Sequence, residues 1–304
     1  MAVTAELVKT LREKTGAGMM DCKKALNETN GDMENAIDWL RKKGLSAAAK
    51  KAGRVASEGK VLTGSAGRRA ILVEINLETD FASKSDAFNQ FAGTVVQMAL
   101  DHQPADLEAL QATLYPTTGR PLHEEVKHQI ATIGENMTVR RYASMTVSQG
   151  VVASYIHMGG KIGVLVALES AVADQALLQE LGKKLAMHVA ASAPLYLNRE
   201  SVPAEAIERE KAILVDQART SGKPEAIIEK MVQGRLNKFY GDVCFVEQMF
   251  IMDQDNSVAS IVAAAAKTSG GAITVTGFVR FVLGDGIEKE EKNFADEVAA
   301  QLGS

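Results

Sequence analysis

Cysteine is scarce in this sequence, which has only Cys22 and Cys244 among its 304 residues. Two cysteines so far apart exclude a disulfide framework and a Cys-x-x-Cys zinc or redox site, and they are typical of a reducing compartment. The apolar core of a signal peptide is also missing, because five charged residues interrupt the first 15 positions. No apolar run approaches the roughly 18 residues that span a membrane. We therefore expect a soluble, cytoplasmic protein that does not enter a membrane.

The sequence also lacks the motifs of common enzyme classes. It has no G-x-x-x-x-G-K-[ST] phosphate loop, no G-x-G-x-x-G motif between a strand and a helix, and no G-x-S-x-G nucleophile elbow. The segment from His123 to His128 is close to a zinc-binding helix motif, but Lys127 occupies the position of the second histidine. His128 would lie about 140° around the helix from His123, too far to share a metal ion. We predict no catalytic residue, no metal site and no cofactor, so the chain is not expected to be an enzyme.

Positive charge is not in excess, since 34 Lys and Arg face 38 Asp and Glu for a formal net charge of −4. A generally basic surface for nucleic acid is therefore excluded. Residues 41–60 are the local exception, with seven basic residues against Glu58 alone. They are Arg41, Lys42, Lys43, Lys50, Lys51, Arg54 and Lys60. Two interpretations stay open: a contact with RNA or an acidic partner, and a solvated linker.

The N-terminal 43 residues have the pattern of three short helices. Thr4 is a candidate cap for the first helix, and Asp32 for the third, which Gly44 would end. Adjacent Met19 and Met20 at the start of the second helix cannot both face one core. They either offer an adaptable partner surface, or one of them is buried and the other partly exposed.

The middle of the chain repeats one pattern with a period of roughly 90 residues. Residues 59–76 and 150–169 both alternate as a strand, a glycine turn and a second strand. A helical stripe follows each of them, and strands at 137–147 and 273–283 would complete the two units. The pattern predicts an α+β fold with two related subdomains, each an antiparallel sheet with helices on one face.

Two amphipathic helices interrupt the second subdomain. Their apolar stripes contain Ile207 and Leu214 in the first helix and Ile228 and Val232 in the second, and Gly222-Lys223-Pro224 separates them. This pattern predicts an antiparallel helical hairpin. The hairpin either mediates self-association or packs on its own subdomain. After residue 284 the chain becomes acidic and ends in a predicted helix at 293–302.

The segment Glu74-Ile-Asn-Leu-Glu-Thr-Asp-Phe-Ala-Ser-Lys84 joins a strand to a helix. Thr79 and Asp80 are both plausible N-caps there, and Phe81 would lie in the first helical turn. Phe81 is either an exposed aromatic or a core residue beside the cap.

Two segments carry a resemblance to a known family. Thr15-Gly-Ala-Gly-Met-Met-Asp-Cys-Lys-Lys-Ala-Leu26 and the segment from Glu74 to Lys84 resemble the two signatures of the bacterial translation elongation factor Ts family. The match continues in order through Ile133-Gly-Glu-Asn136, Arg140-Arg141, Met187-His-Val-Ala-Ala-Ser192 and Gly284-Asp-Gly-Ile-Glu-Lys289. The sequence departs from the family at Leu77, at Ala82 and before Phe250.

The resemblance implies a guanine-nucleotide exchange factor that binds elongation factor Tu with GDP, displaces Mg²⁺ and promotes GDP release during translation elongation. It also implies a ubiquitin-associated-like N-terminal module, a hairpin that forms a homodimer and hence a 2:2 complex, and a C-terminal helix that reaches the partner. No specific nucleic acid is expected. The alternative is an RNA- or ribosome-associated protein that uses residues 41–60.

The resemblance also implies three groups of partner-binding residues. Thr79, Asp80, Phe81 and Ala82 would form the tip that enters the nucleotide-binding domain of the partner. Arg12, Met19, Met20 and Lys23 would contact the same domain from the N-terminal module. Ile133, Gly134, His157 and a strand containing Ile251 and Met252 would contribute from the core.

Together these observations predict five regions. The regions are a UBA-like module with a basic linker at 1–54, a first core subdomain at 55–147, a second at 148–203 and 241–284, the inserted helical hairpin at 204–240, and a C-terminal module at 285–304.

Overall fold

The computed structural model describes residues 3–15, 17–220 and 224–288, without the side chains of residues 45–47. Within them the chain divides into two compact units. Unit 1 lies within residues 1–62, 73–142 and 282–304, and unit 2 comprises residues 63–72 and 143–281. No helix among the described residues is long and apolar enough to cross a membrane.

The first half of the chain holds six helices and three strands among its described residues. The helices are α1 (Ala5–Thr15), α2 (Met19–Glu28), α3 (Met33–Lys51), α4 (Asp86–His102), α5 (Leu107–Ala112) and α6 (Leu122–Ile133), and the strands are β1 (Glu58–Ala66), β2 (Arg69–Leu77) and β3 (Met137–Thr146). The three strands form one sheet in the order β1-β2-β3. Phe88, Phe91, Val95 and Met98 make the buried stripe of α4, as the helical spacing predicts.

The second half repeats this arrangement. Its elements are β4 (Gly150–His157), β5 (Ile162–Ser170), α7 (Gln175–Ser192), α8 (Ala204–Arg219), α9 (Glu225–Val243), β6 (Met249–Phe250), β7 (Asp253–Ser257), α10 (Val258–Ser269) and β8 (Ile273–Val282). The sheet order is β4-β5-β8, the counterpart of β1-β2-β3, and β4 pairs antiparallel with β5. Helix α7 packs across β4 and β5. The predicted α+β fold with two related sheets is confirmed.

A pair of glycines shows the duplication at atomic detail. Gly59 and Gly150 stand at the start of the first strand of each sheet, with φ of +125° and +112°. A Cβ at either position would lie 2.1 Å from a carbonyl oxygen of the neighbouring strand, that of Ile75 or of Leu168. Only glycine permits this conformation and this close approach, so both repeats need it at the same place.

The N-terminal helices form their own apolar cluster around Leu11, Cys22 and Leu26 in unit 1. Both predicted caps are present, since Thr4 accepts from the Leu7 N–H and Asp32 from the Asn35 N–H. The predicted end of α3 at Gly44 is wrong, because α3 continues to Lys51. Gly44 is buried, and a Cβ there would lie 3.4 Å from Cβ of Ala131 in α6. The glycine therefore marks a close helix crossing rather than a helix end, and most of residues 41–60 is helix rather than linker.

Helices α8 and α9 form the predicted hairpin in unit 2. Leu214 and Ala218 of α8 pack with Ile228, Val232 and Leu236 of α9. Of the predicted turn at residues 222–224, only Pro224 is among the described residues, and the predicted C-terminal helix at 293–302 lies outside them. Helix α10, which the sequence analysis missed, begins at a Ser257 cap and ends before left-handed Gly270.

Candidate functional site

The tip, residues 79–82, stands in unit 1 between strand β2 and helix α4. Phe81 is 83% exposed, the most exposed large apolar side chain among the described residues. Thr79 Oγ1 accepts a hydrogen bond from the Ala82 N–H at 3.2 Å and so closes this turn. The expectation that Phe81 lies in the first turn of a helix capped by Thr79 or Asp80 is wrong, because only a 3₁₀ turn at Ala82–Lys84 follows and α4 begins at Asp86. Ala82 is buried and Ser85 caps α4, and these two features hold the end of the turn that leads into α4. Of the two interpretations of Phe81, the exposed aromatic is confirmed.

Asp80 lies beside a cation of its own turn. Its Oδ2 is 2.8 Å from Nζ of Lys84, and both side chains are mostly exposed. An exposed pair of this kind contributes little to stability and exchanges readily for other partners. Asp80 therefore presents a carboxylate next to Phe81, and Lys84 partly balances the charge of that carboxylate in the free protein.

Two glutamates hold the base of the tip. Glu135, which follows α6, accepts from the Thr79 hydroxyl at 2.6 Å and from the Thr79 N–H at 2.9 Å. Glu78, the residue after β2, accepts from the Asn136 N–H at 2.6 Å and lies 3.5 Å from Arg54. These contacts place the Ile133-Gly134 segment beside the tip. The sequence analysis named neither glutamate as a site residue, because no local pattern shows a pairing between positions so far apart.

The N-terminal module presents two exposed methionines. Met19 is 59% exposed and Met20 is 73% exposed, so the expectation that one of them is buried is wrong. Both stand in the first turn of α2, whose buried face is formed by Cys22, Ala25 and Leu26. The buried stripe begins only at Cys22, and Met19 and Met20 lie before it in the exposed first turn of the helix. Arg12 on α1 and Lys23 on α2 are also exposed.

The module is fixed to the rest of unit 1 by contacts between polar groups. Arg41 pairs with Glu124 at 3.0 Å, and His128 Nε2 lies 2.7 Å from the Thr15 carbonyl oxygen. The Lys51 ammonium donates to the carbonyl oxygen of Gly134. Hydrogen bonds and ion pairs within unit 1 thus connect the helices that carry Met19 and Met20, the Ile133-Gly134 segment and the tip.

Most basic residues of the 41–60 segment already have partners in the protein. Beyond Arg41, Lys51 and Arg54, Lys43 pairs with Asp21 and stacks over the Trp39 ring, and Lys60 donates to Asn89 at 2.7 Å. Five of its seven basic side chains therefore face acceptors of unit 1. Three of these acceptors are carboxylates, those of Glu124, Asp21 and Glu78, so three of the seven positive charges are balanced within unit 1.

The remaining predicted site residues lie in unit 2. His157 ends β4, and its Nδ1 is 2.9 Å from the Tyr155 hydroxyl. Ile251 and Met252 are 42% and 50% exposed. They form the turn between β6 and β7, so the expectation that they lie in a strand is wrong: the two strands pair with a register shift, and the chain reverses after Phe250.

A buried histidine supports that turn. His188 Nδ1 accepts from the Ile251 N–H at 3.2 Å, so Nε2 carries the proton toward Gln248 Oε1 at 2.9 Å. Burial between Phe245 and Phe250 lowers the pKa of His188, although the Gln248 contact opposes this shift. The neutral imidazole is thus the form that holds the turn.

A second feature that the sequence analysis missed is the fully buried Glu74 of β2. Arg140 donates to it at 3.3 Å, Arg141 donates from Nε, and the Gly284 N–H donates at 2.9 Å. Arg140 also donates to the Asp285 carbonyl oxygen at 2.6 Å. This cluster ties residues 284–285 to the strand that leads to the tip.

No group of three or more His, Cys, Asp or Glu among the described residues has metal-binding geometry. The carboxylates of Glu78 and Glu135 at the base of the tip already accept hydrogen bonds from backbone N–H groups and from the Thr79 hydroxyl. The site therefore offers an exposed aromatic and exposed methionines on a braced scaffold, which is the chemistry of binding another macromolecule.

Comparison with known proteins agrees with this scaffold. Residues 78–285 match the family model described as Elongation factor TS. The elongation factor Ts of Magnetococcus marinus is 60% identical over 299 residues, which cover 98% of each chain. That of Rhodospirillum rubrum is 57% identical over 306 residues, covering 99% of this chain and 98% of the relative. That of Paramagnetospirillum magneticum is 54% identical over 307 residues, with the same coverage. From these matches, the chain belongs to the elongation factor Ts family of translation elongation factors.

Proposed function

We propose that this protein is a guanine-nucleotide exchange factor for elongation factor Tu. It binds the GDP form of that partner, displaces Mg²⁺ and promotes GDP release. The observation that carries the proposal is Phe81, an aromatic side chain 83% exposed to solvent on a capped turn whose base is hydrogen-bonded on both sides.

The energetic requirement for exchange is differential binding. The factor has to bind the partner better without GDP than with it, and by linkage GDP then binds the complex more weakly by the same factor. An aromatic wedge meets this requirement, because a close-packed helix shifts as a unit rather than deforming smoothly. Burying Phe81 in a partner pocket would contribute about 1.5–3 kcal/mol.

Displacement of Mg²⁺ follows from the same movement. The ion neutralises the nucleotide phosphates, and backbone N–H groups of a phosphate loop hold them. A shifted helix moves the groups that hold the ion, and the phosphates then repel one another. Asp80 would bring a further negative charge close to them once the partner separates it from Lys84.

The other surfaces act as anchors in this proposal. Met19 and Met20, with Arg12 and Lys23, bind the nucleotide-binding domain, and the Ile133-Gly134 segment extends this contact beside the tip. His157, Ile251 and Met252 bind from the second subdomain. The five regions predicted from the sequence, including the C-terminal module at 285–304, remain our proposed domain organisation, and the cytoplasm is the proposed location.

The proposal is tested by release of fluorescent GDP from purified elongation factor Tu. We expect catalytic acceleration by sub-stoichiometric protein, and we expect Phe81→Ala to slow release more than it weakens complex formation. Leu114→Ala is the matched control, because Leu114 is 58% exposed in the same unit but outside the proposed contacts. Binding without acceleration would reject the exchange function.

We also propose that the hairpin of α8 and α9 forms a homodimer, which gives a 2:2 complex with the partner. Ile213 and Ile227 support this proposal, since they are 43% and 45% exposed although the hairpin has its own apolar core. Sedimentation of the double variant Ile213→Ser, Ile227→Ser should show a monomer where the wild type is a dimer. A monomeric wild type would contradict dimerisation of the free protein.

A further inference from the structure

The two glutamates at the base of the tip form a reciprocal pair. The carboxylate of Glu135 accepts from the backbone N–H of Thr79, and the carboxylate of Glu78 accepts from the backbone N–H of Asn136. Each glutamate therefore stands in one of two segments, 78–79 or 135–136, and its carboxylate binds the backbone of the other segment. The Asn136 side-chain amide also donates to the Arg54 carbonyl oxygen at 2.7 Å, and the Arg54 guanidinium lies 3.5 Å from Glu78.

Glu135 does more than join two segments, because it orients the hydroxyl that caps the tip. The Thr79 hydroxyl donates to Glu135 Oε1 at 2.6 Å and accepts from the Ala82 N–H at 3.2 Å. A hydroxyl has a single proton, so donation to Glu135 leaves a lone pair directed at Ala82. Hydrogen bonds in such a chain strengthen one another, and a charged acceptor gives the strongest first link.

The backbone of the turn, and not the packing of the Phe81 ring, holds Phe81 in place. The Phe81 ring is almost wholly exposed, so side-chain packing cannot fix it. The Ser83 hydroxyl bonds the Asp80 carbonyl oxygen at 2.6 Å, and this contact lies within the turn itself. Burial of Ala82 and the Ser85 cap hold the side of the turn toward α4, and the contacts of Thr79 with Glu135 hold the side toward β2.

We propose that Glu135 is the positioning residue of the tip and that Glu78 is its reciprocal brace. Through Thr79, Glu135 holds Phe81 stiff enough to displace a packed helix of the partner. The same pair joins the Ile133-Gly134 segment and the tip into one rigid contact surface. This inference rests on the proposed exchange function and adds to it the residues that make the wedge rigid.

A stiff wedge and a loose wedge differ in what they do after binding. A loose tip still allows the anchors Met19 and Met20 to bind the partner, so complex formation changes little. A loose tip, however, changes its own conformation when it contacts a close-packed helix of the partner. The helix then stays in place, and GDP release is not accelerated. The inference therefore predicts a loss in maximal exchange rate rather than in half-saturating concentration.

The test compares Glu135→Ala and Glu135→Gln in the full-length protein by GDP release at increasing factor concentration. We expect Glu135→Ala to lower the maximal rate about tenfold, which is the size of effect from losing charge-assisted hydrogen bonds. The half-saturating concentration should stay within about twofold of wild type, because the anchoring contacts are unchanged. Glu135→Gln keeps one acceptor oxygen and should restore part of the rate. Glu108→Ala, which removes an exposed carboxylate of α5 in the same unit, should have no effect.

A second variant checks the route through Thr79. Thr79→Val removes the hydroxyl but keeps the shape, and it should lower the maximal rate as well. In the double variant with Glu135→Ala, the two losses should not add, because both remove one chain of hydrogen bonds. Additive losses would show that Glu135 acts elsewhere, and an unchanged maximal rate in Glu135→Ala would overturn the inference.

Hydrogen exchange separates this inference from the exchange function itself. If the wild-type protein fails to accelerate GDP release, the proposed function fails. The brace then still predicts faster amide exchange at Thr79 and Ala82 in the Glu135→Ala protein, by more than at amides far from the tip. Unchanged amide exchange at both positions would refute the brace, whatever the protein's activity.

Discussion

The two methionines of the N-terminal module allow a clear separation of anchoring from exchange. The perturbation is the double variant Met19→Ala, Met20→Ala. Burying a methionine side chain fully contributes about 1.5–3 kcal/mol. Since 59% of Met19 and 73% of Met20 are exposed in the free protein, most of that contribution is available to a partner. Alanine keeps part of the contact, so we expect a loss of about 1–3 kcal/mol in binding, or about five- to 150-fold in affinity.

The assay for this variant is a titration of GDP release against factor concentration. The half-saturating concentration should rise by that factor while the maximal rate stays near wild type, because an anchor that binds ground state and activated complex equally changes only binding. The urea midpoint should not move, since exposed substitutions alter stability by about 0.5 kcal/mol or less. A fall in maximal rate at unchanged half-saturation would refute the assignment of these residues as anchors.

Three further predictions concern stability. Glu74→Gln should lower the free energy of unfolding by about 2–4 kcal/mol in urea denaturation, because it removes the charge that faces two arginines in a buried site. Gly59→Ala and Gly150→Ala should each cost more than about 2 kcal/mol, measured in the same way, because a Cβ would meet a backbone oxygen at 2.1 Å. Burial lowers the pKa of His188 below its ordinary 6.5, so the unfolded chain binds its proton first as pH falls. Stability should therefore be complete above pH 6.5 and decrease as pH falls below it, as followed by thermal unfolding.

Matched substitutions serve as controls for these three. Glu108→Gln changes an exposed carboxylate, and Gly93→Ala adds a methyl group to α4 where nothing lies within 4 Å. His102→Gln removes an exposed histidine and should leave the pH dependence intact, whereas His188→Gln should flatten it. A flat wild-type profile between pH 7 and the onset of acid unfolding would contradict the role of His188.

Local patterns predicted most of the fold. The alternation and glycines of residues 59–76 and 150–169 are sufficient to identify two related hairpins, because Gly59 and Gly150 serve the same close contact. The end of α3 was predicted wrongly because Gly44 is a helix breaker by propensity but a helix-packing residue by tertiary contact. Helix α10 was missed although Val258 and Val262 stand at helical spacing after the Ser257 cap.

The exposed residues of the candidate site were predictable only where a single segment contains them. The exposed Phe81 lies within one recognisable segment, and so do Met19 and Met20. The contacts of Glu135 with Thr79 and of Glu74 with Gly284 join residues 56 and 210 positions apart. Such pairings depend on how strands and helices meet, and composition or spacing in a single sequence carries no signal for them.

If Phe81 acts as the wedge, the binding of this protein and the binding of GDP to elongation factor Tu oppose each other. This opposition is measured by two pairs of dissociation constants: that of fluorescent GDP with and without saturating protein, and that of the protein with and without GDP. Both constants should rise by one common factor, and Phe81→Ala should reduce this factor toward one. An unchanged affinity for GDP in the presence of the bound wild-type protein would rule out this role of Phe81.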